Sequence, residues 1–448
     1  MIVKLIQPKM SLRPMDSEFK RLMAPSLSLL VLAALTPEEY VISIEDENVH
    51  PLCFSDSPDL VGITVNVDTS KRAYQIAQYY RKKNVPVILG GIHVSANPEE
   101  ALQFADAVCI GEAENVWHQI LSDVSTGQLK PKYYSKTIAD PGKIPIPRRS
   151  LIPTGKYLYT NIIVASRGCP FKCEFCYNSC AYVHHQYRNR PIANVIEEIK
   201  LLKTKHVMFI DDNLIGNIPW AKAFLKEIKP LGLKWNAAVS ANILNHPDLL
   251  DLMQESGCQS LFIGFESINE QSVQSVQKFQ NKRENYERLI DELHKRGIMI
   301  NASLVFGFDH DSPDVFQNTL DWLVKNKVET MTAHILTPYP GTVLYQRFLE
   351  EGRITDFDLS HYNTANVVFA PKQMTQEELL KGYLWIYKEF YSFKNILKRI
   401  PDHPKQKVPY ILFNLFYRKF GKVISKIARF GFMNSLGRLA RKLSYHIE

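Results

Sequence analysis

Three cysteines stand close together in Cys169-Pro170-Phe171-Lys172-Cys173-Glu174-Phe175-Cys176, at C-x₃-C-x₂-C spacing, just behind Ser166-Arg167-Gly168. Three thiolates on one tight loop can hold three corners of a cubane iron–sulfur cluster and leave the fourth iron open to another ligand. The competing chemistry is a zinc site, which normally brings a second ligand pair at a recognisable distance. Cys180, His184 and His185 are near enough in sequence to complete one.

With Phe175 as the aromatic residue before the last cysteine, the stretch resembles the C-x₃-C-x-Φ-C signature of the radical S-adenosylmethionine (SAM) superfamily. That resemblance implies a [4Fe-4S] cluster held by Cys169, Cys173 and Cys176, with SAM chelated at the open iron. One-electron reduction there cleaves SAM to a 5′-deoxyadenosyl radical. Cys180 lies outside the signature.

The elements that must position this loop read as an α/β chain. Strands are expected at Met1–Gln7, Tyr40–Glu45, Leu60–Val65, Val85–Leu89 and Ala107–Ile110, with helices at Ala24–Leu35 and Ser70–Lys83. Strands alternating with helices imply a parallel, doubly wound, Rossmann-like sheet that binds ligands beyond the strands' carboxyl ends. Gly90, Gly91 and Gly111 fall at those ends, where a bare backbone admits a large ligand. Taken alone, the glycines read equally as turn chemistry. The run VGIT, GGIH, GEAE is similar to the cobalamin-binding domain of the class B radical SAM enzymes. It implies cobalamin contacts at Thr64, Gly90, Gly91, Gly111 and Glu112. The D-x-H-x-x-G motif that supplies a histidine below cobalt is absent, and His93 in GGIH does not replace it. A degenerate domain that keeps the fold without the cofactor is the alternative.

The proposed division is a cobalamin-type domain over residues 1–130, a proline-rich linker over 131–156 and a radical SAM partial barrel over 157–345. A helical extension over 346–400 and a basic tail over 401–448 follow. In the barrel, strands are expected at Tyr159–Ser166, Val207–Asp211, Trp235–Ser240, Ser260–Glu266, Met299–Phe306 and Thr330–Leu336. With their helices they make a (β/α)₆ barrel of the TIM type, active at the strands' carboxyl ends. The resemblance implies SAM contacts at Phe175, Asp211, Asp212, Asn213, Ser240, Glu266 and Phe306, the last through backbone. The plainer readings are a cap or turn for Asp211 and Asp212 and a structural ion pair for Glu266. Tyr177 and Tyr187 could face substrate or cobalamin, and ordinary packing is the simpler role for both.

No signal peptide is recognisable, and the longest apolar run, Leu29–Leu35, is far too short to cross a bilayer. Clustered rather than paired cysteines fit a reducing cytoplasm. From Asn395 onward there are 12 Lys/Arg against 2 Asp/Glu, leaving 42 against 44 elsewhere, so the net charge of +8 belongs to the tail. Tyr362–Pro371 reads as a strand and turn, Thr375–Tyr391 as a helix opened by a capping box, and Pro401–Pro409 as a linker. Tyr410–Phe432 reads as one amphipathic helix with interleaved phenylalanines and basic residues, followed by a basic segment at Leu436–Leu443. Such a helix suits peripheral contact with the inner face of a membrane; docking on the body, or an RNA contact, are the alternatives. The extension resembles that of the hopanoid- and tetraether-lipid-modifying subgroup.

The expected function is C-methylation of an unactivated carbon on a lipid or other small molecule, with electrons from a flavodoxin or ferredoxin. A radical rearrangement or coupling, a tRNA modification, or a non-catalytic cofactor-binding role are the competing readings. Nucleic acid is not expected as a partner. The chain offers no hydrolase triad or paired-carboxylate signature.

Overall fold

The computed structural model describes all residues except 136, 181–185, 429–432 and 446–448. The expectations for His184, His185, Arg429 and Phe430 therefore lie outside the described residues.

The first sheet contains β1 (Ile2–Gln7), β2 (Val41–Asp46), β3 (Leu60–Thr64), β4 (Val87–Gly90), β5 (Ala107–Ile110) and β6 (Lys132–Tyr134), in the order β2-β1-β3-β4-β5-β6. Every pairing is parallel. Near-continuous apolar strands such as Leu60-Val61-Gly62-Ile63 are buried on both faces, as a sheet covered by helices requires. The sixth strand comes from the stretch read as a linker: Tyr133 is buried beside Trp117 and Leu121.

The second sheet contains β7 (Ile162–Ile163), β10 (His206–Phe209), β11 (Lys234–Val239), β12 (Cys258–Glu266), β13 (Met299–Phe306) and β14 (Thr330–Ile335), in the order β14-β13-β12-β11-β10-β7 and parallel throughout. This is the partial barrel. In β14 the alternation is direct: Met331, Ala333 and Ile335 are buried in the outer core, while Thr332 and His334 line an inner cavity. The first barrel strand is shorter than expected. Its continuation, β8 (Ser166–Arg167), leaves the barrel and pairs antiparallel with β9 (Arg188–Asn189). The Asp211 carboxylate accepts the Ala165 and Ser166 backbone N–H groups at this point and turns the chain toward the cysteine loop.

An incomplete barrel has two open edges, and unpaired strand edges need partners. Tyr391 and Tyr387, one turn apart on the helix Gln376–Phe390 and at its end, bond the free edge of β14. The Tyr391 hydroxyl donates to Met331 O at 2.7 Å and the Tyr387 hydroxyl to Ala333 O at 3.0 Å. The same hydroxyls accept from the two N–H groups at 3.1 and 2.8 Å. At the opposite edge Arg149 donates to Thr160 O and Ile162 O, and Arg190 to Val164 O. Buried Glu198 pairs with both guanidinium groups at 2.6 Å. The base of the barrel is closed by Asn161, His206 and Asn236, with Tyr445 stacked on His206 at 5.0 Å.

The C-terminal region departs from expectation in three places. Tyr362–Pro371 forms turns and a single bridge, Ile354 with Phe369, rather than a strand. The stretch Pro401–Pro409 is not a linker throughout: a helix runs over Pro404–Ile411, with Pro404 at a first-turn position where a missing N–H costs nothing. The expected single helix from Tyr410 is broken. A π-helical stretch, Leu412–Lys419, ends at Phe420, and Gly421–Ala428 starts anew. Docking explains the break: Asn414 bonds Glu329 O at 3.1 Å, and a Cβ on Gly421 would approach Ser17 Oγ to 3.2 Å. The helix Gln376–Phe390 does carry the Thr375–Glu378 capping box.

Candidate active site

The cysteine loop follows β8 through Gly168, whose φ of +76° favours glycine; an added Cβ would stand 3.0 Å from Gln186 O. Cys173 is buried, and Cys169 and Cys176 are half-buried. Burial raises all three thiols, Cys176 to about 12, so as free side chains they would be protonated. Metal coordination is what holds such groups as thiolates. Among the described residues only Glu45, Cys53 and Asp56 bring three ligand atoms within 4.8 Å of one another, and Lys4 already pairs with both carboxylates there. The three loop sulfurs do not all lie that close to one another, so they are not drawn in around a single ion. Gln280 Nε2 reaches Cys173 Sγ at 3.8 Å. Burial alone would lower the Lys278 ammonium, but Glu266 holds it raised. The donor set thus fits a [4Fe-4S] cluster. Cys180 is buried, its thiol pushed up to about 12 by burial.

A cavity of about 540 Å³ separates the two sheets. Thr64, Gly90, Gly91, Gly111 and Glu112 all line it from the first sheet, and Arg167, Gly168, Asp211 and Asp212 line it from the barrel. Gly91 has a φ of +105°, and a Cβ there would come within 2.8 Å of Val65 N and O. At Gly90 a Cβ would meet only Cys109 Cβ, at 3.7 Å, so the backbone is bare toward the cavity. The floor is apolar, formed by Leu5, Leu29, Leu32, Ile88 and Trp117. Such a wide, glycine-rimmed cradle fits cobalamin. His93 is not in it: the ring is fully buried, 3.2 Å from the Tyr74 hydroxyl.

Sequence reasoning missed three residues of this wall. Ser95 donates to Gly91 O at 2.9 Å and accepts from Gly111 N at 2.9 Å, tying the two glycine turns together. Arg167 and Arg188 reach across from the barrel to Glu112 at 3.2 and 2.7 Å. Burial would raise the Glu112 carboxyl; the two arginines hold it lowered. The charge pattern GEAE opposite two arginines was visible, but pairing over more than fifty positions has no local signal.

The remaining SAM candidates divide by position. Burial pushes the Asp211 carboxyl up to about 6 against the bonds it accepts. Asp212 is exposed to the cavity and raised by burial against a bond from Asn178. Asn213 donates to Ser240 Oγ at 3.1 Å and leaves its own Oδ1 without a partner. Glu266 closes β12 at a register shift, with a φ of +63°, and pairs with Lys278. Sparsely populated backbone of this kind collects at functional sites. Phe175 packs edge-on to Phe308, and Phe306 is buried against Phe316, so neither ring faces the intersheet cavity. Tyr187 packs across Gly216 and donates to Leu214 O at 3.2 Å.

Comparison with known proteins decides the family. The radical SAM superfamily matches residues 163–323, the B12 binding domain residues 29–121, and a domain of unknown function residues 342–411. Bacteriochlorophyllide d C-12(1)-methyltransferase of Chlorobaculum tepidum is 31% identical over 408 residues, 88% of this chain and 89% of that one. The chain belongs to the cobalamin-dependent radical SAM methyltransferases. Bacteriochlorophyllide d C-8(2)-methyltransferase of the same organism is 32% identical, covering 85% of this chain and 89% of its own. The fold agrees with that of the radical SAM methyltransferase TsrM from Kitasatospora setae, with a TM-score of 0.68 at 15% identity over 98% of this chain and 99% of that one. This radical SAM methyltransferase therefore uses a [4Fe-4S] cluster, SAM and cobalamin.

Proposed function

We propose that this enzyme methylates a carbon of a small molecule held inside the barrel. Cys169, Cys173 and Cys176 hold the cluster; Thr64, Gly90, Gly91 and Gly111 cradle cobalamin, with Glu112 bracing the junction. Asp211, Asp212, Asn213, Ser240, Glu266 and the backbone at Phe306 surround SAM, beside Phe175. One observation carries this reading: the intersheet cavity is walled on one side by the glycine turns and on the other by the loop segment that leads into the cysteines. When bound, the cofactors supply the radical and the methyl group. The chain binds and orients them, and its sealed barrel edges keep water away. The names of the two relatives favour a methyl acceptor of the chlorophyllide kind over a lipid. The test is Gly90→Val, which fills the cradle without straining the backbone. Anaerobically reconstituted protein should bind one cobalamin per chain, and the variant should lose it while keeping its iron. Equal retention by both would overturn the assignment.

Electron delivery from a flavodoxin or ferredoxin is supported by exposed Pro170 and Lys172 in the cluster loop, where an acidic carrier can approach. All seven cysteines are free, which suits a reducing cytoplasm. Among the described residues no helix is long and apolar enough to cross a membrane. The extension and the docked tail nevertheless present exposed Phe393, Leu397, Phe416, Phe420 and Val423, with Phe393 and Phe420 rings 6.3 Å apart. Exposed Lys394, Lys398, Lys419, Lys422 and Lys426 lie on the same segments. This pattern supports peripheral binding to an anionic bilayer. Sedimentation with phosphatidylglycerol vesicles should weaken at least fivefold in Phe416→Ser/Phe420→Ser; unchanged binding removes the reading.

A further inference from the structure

A second cavity, of about 600 Å³, lies inside the barrel. Phe262 of β12, Asn301 of β13 and Thr332 and His334 of β14 face it from the strands. Its upper end begins at Tyr177, the residue after the last cluster cysteine. That ring stacks on Tyr339 at 4.9 Å, and its hydroxyl is buried without a hydrogen-bond partner. The two cavities meet at Ile92, which lines both. The far end is plugged by the N-terminal segment, with Arg13, Asp16 and Lys20, and by the tail, with Tyr417 and Arg418.

The charges at this far end do not balance. Arg13 is matched: Asp16 accepts from it at 3.0 and 3.1 Å. His334 is neutral, lowered to about 3 by burial and by Arg13 beside it. Lys20 and Arg418 remain. Lys20 is open to the cavity, and its ammonium makes no hydrogen bond and no ion pair within 4.0 Å among the described residues; Asp16 and Asp68 attract it only from further off. Burial, Arg13 and Arg418 lower it, against the pull of Asp16 and Asp68. Arg418 bonds only Thr332 Oγ1, at 3.5 Å, leaves Nε unpartnered, and otherwise lies over the Tyr417 and Tyr391 rings. Against these two cations stands Asp68, whose carboxylate accepts from Ser11 at 3.2 Å and is raised by burial. A cavity whose walls carry excess positive charge concentrates anions.

We propose that the barrel cavity takes its methyl acceptor as an apolar acid, with the oxyanion received by Lys20 and Arg418 and the apolar body lying along Phe262, Tyr339 and Tyr177 toward the cysteine loop. This fixes one end of the molecule at the plug and leaves the other end as the part that reaches the cofactors. It rests on the reading that this cavity is the acceptor site, and it adds the acceptor's chemical class.

The test uses 2-naphthoate and its neutral match 2-naphthamide, titrated by equilibrium dialysis into the full-length protein loaded with cluster and cobalamin. Naphthoate should bind at least tenfold more tightly than naphthamide. Lys20→Met should weaken naphthoate about tenfold and leave naphthamide within twofold, and Lys20→Arg should restore naphthoate binding. Lys20 makes no side-chain bond, so its variants should unfold at the wild-type temperature. Equal affinity for the two probes, no binding of either, or naphthoate binding indifferent to Lys20→Met would overturn the proposal. Probe binding requires neither SAM cleavage nor methyl transfer, so a failed methylation assay and a failed charge assignment give separate results.

Discussion

At the scale of single residues, the site depends on groups that position other groups. Asp211 makes no hydrogen bond to any of the three cysteines; it holds Ala165 N and Ser166 N and so aims the loop. Its carboxyl, pushed up to about 6 from the ordinary 3.8, makes the native state favour the protonated form. That contribution is present in full below the usual carboxylate range and is lost as pH rises through about 6. Asp211→Asn removes the titration. The wild type's margin over the variant should therefore be larger at pH 5 than at pH 7, by about 1–1.5 kcal/mol, measured by denaturant unfolding at each pH. A constant margin would mean the carboxyl titrates normally. The cysteine triad and the glycine turns were legible because their chemistry is local and spaced. Ser95, Arg167 and Arg188 were not, because what makes them important is a partner far away in sequence.

At the scale of elements, the partial barrel works only because its edges are covered. Tyr387 satisfies both the N–H and the C=O of Ala333 on the free edge of β14. Tyr387→Phe leaves the Ala333 N–H unpaired and its C=O with only the 3.4 Å bond from Arg13, and should cost about 1–3 kcal/mol, read as a lowered denaturation midpoint with the cluster's absorbance intact in the native protein. No change would mean that water or a neighbour replaces the hydroxyl. The strands and most helices could be read from periodicity within a few residues. The edge-sealing role of the tyrosines could not, since a helix with apolar aromatic spacing looks the same whatever it covers. The tail was misread for a related reason: Asn414, Arg418 and Gly421 bend it onto the body through tertiary contacts, and an amphipathic pattern carries no sign of that bend. Proline in Pro401–Pro409 looked like a linker, though at a first-turn position it starts a helix.

At the scale of the whole molecule, the two sheets set their carboxyl ends against each other across one cavity. That each half is a parallel sheet followed from the alternation of strand and helix; the order β2-β1-β3-β4-β5-β6 did not. How the halves face each other was not readable, because it rests on Glu112 with Arg167 and Arg188 and on the chain segments that wrap both sheets. The N-terminal segment and the tail, at opposite ends of the sequence, meet at the barrel's far end, where Lys422 bonds Pro14 O at 2.7 Å. Both termini thus shape the chamber as well as the surface.

The central claim is that one chain presents two cofactors to each other. The most direct measurement is to incubate the anaerobic holoenzyme with SAM and reductant and to quantify 5′-deoxyadenosine and S-adenosylhomocysteine together. Both nucleosides should form in the wild type. Cys173→Ala should lose 5′-deoxyadenosine, and Gly90→Val should lose S-adenosylhomocysteine while still cleaving SAM. S-Adenosylhomocysteine formed equally well by Gly90→Val, or never formed by the wild type, would contradict the account.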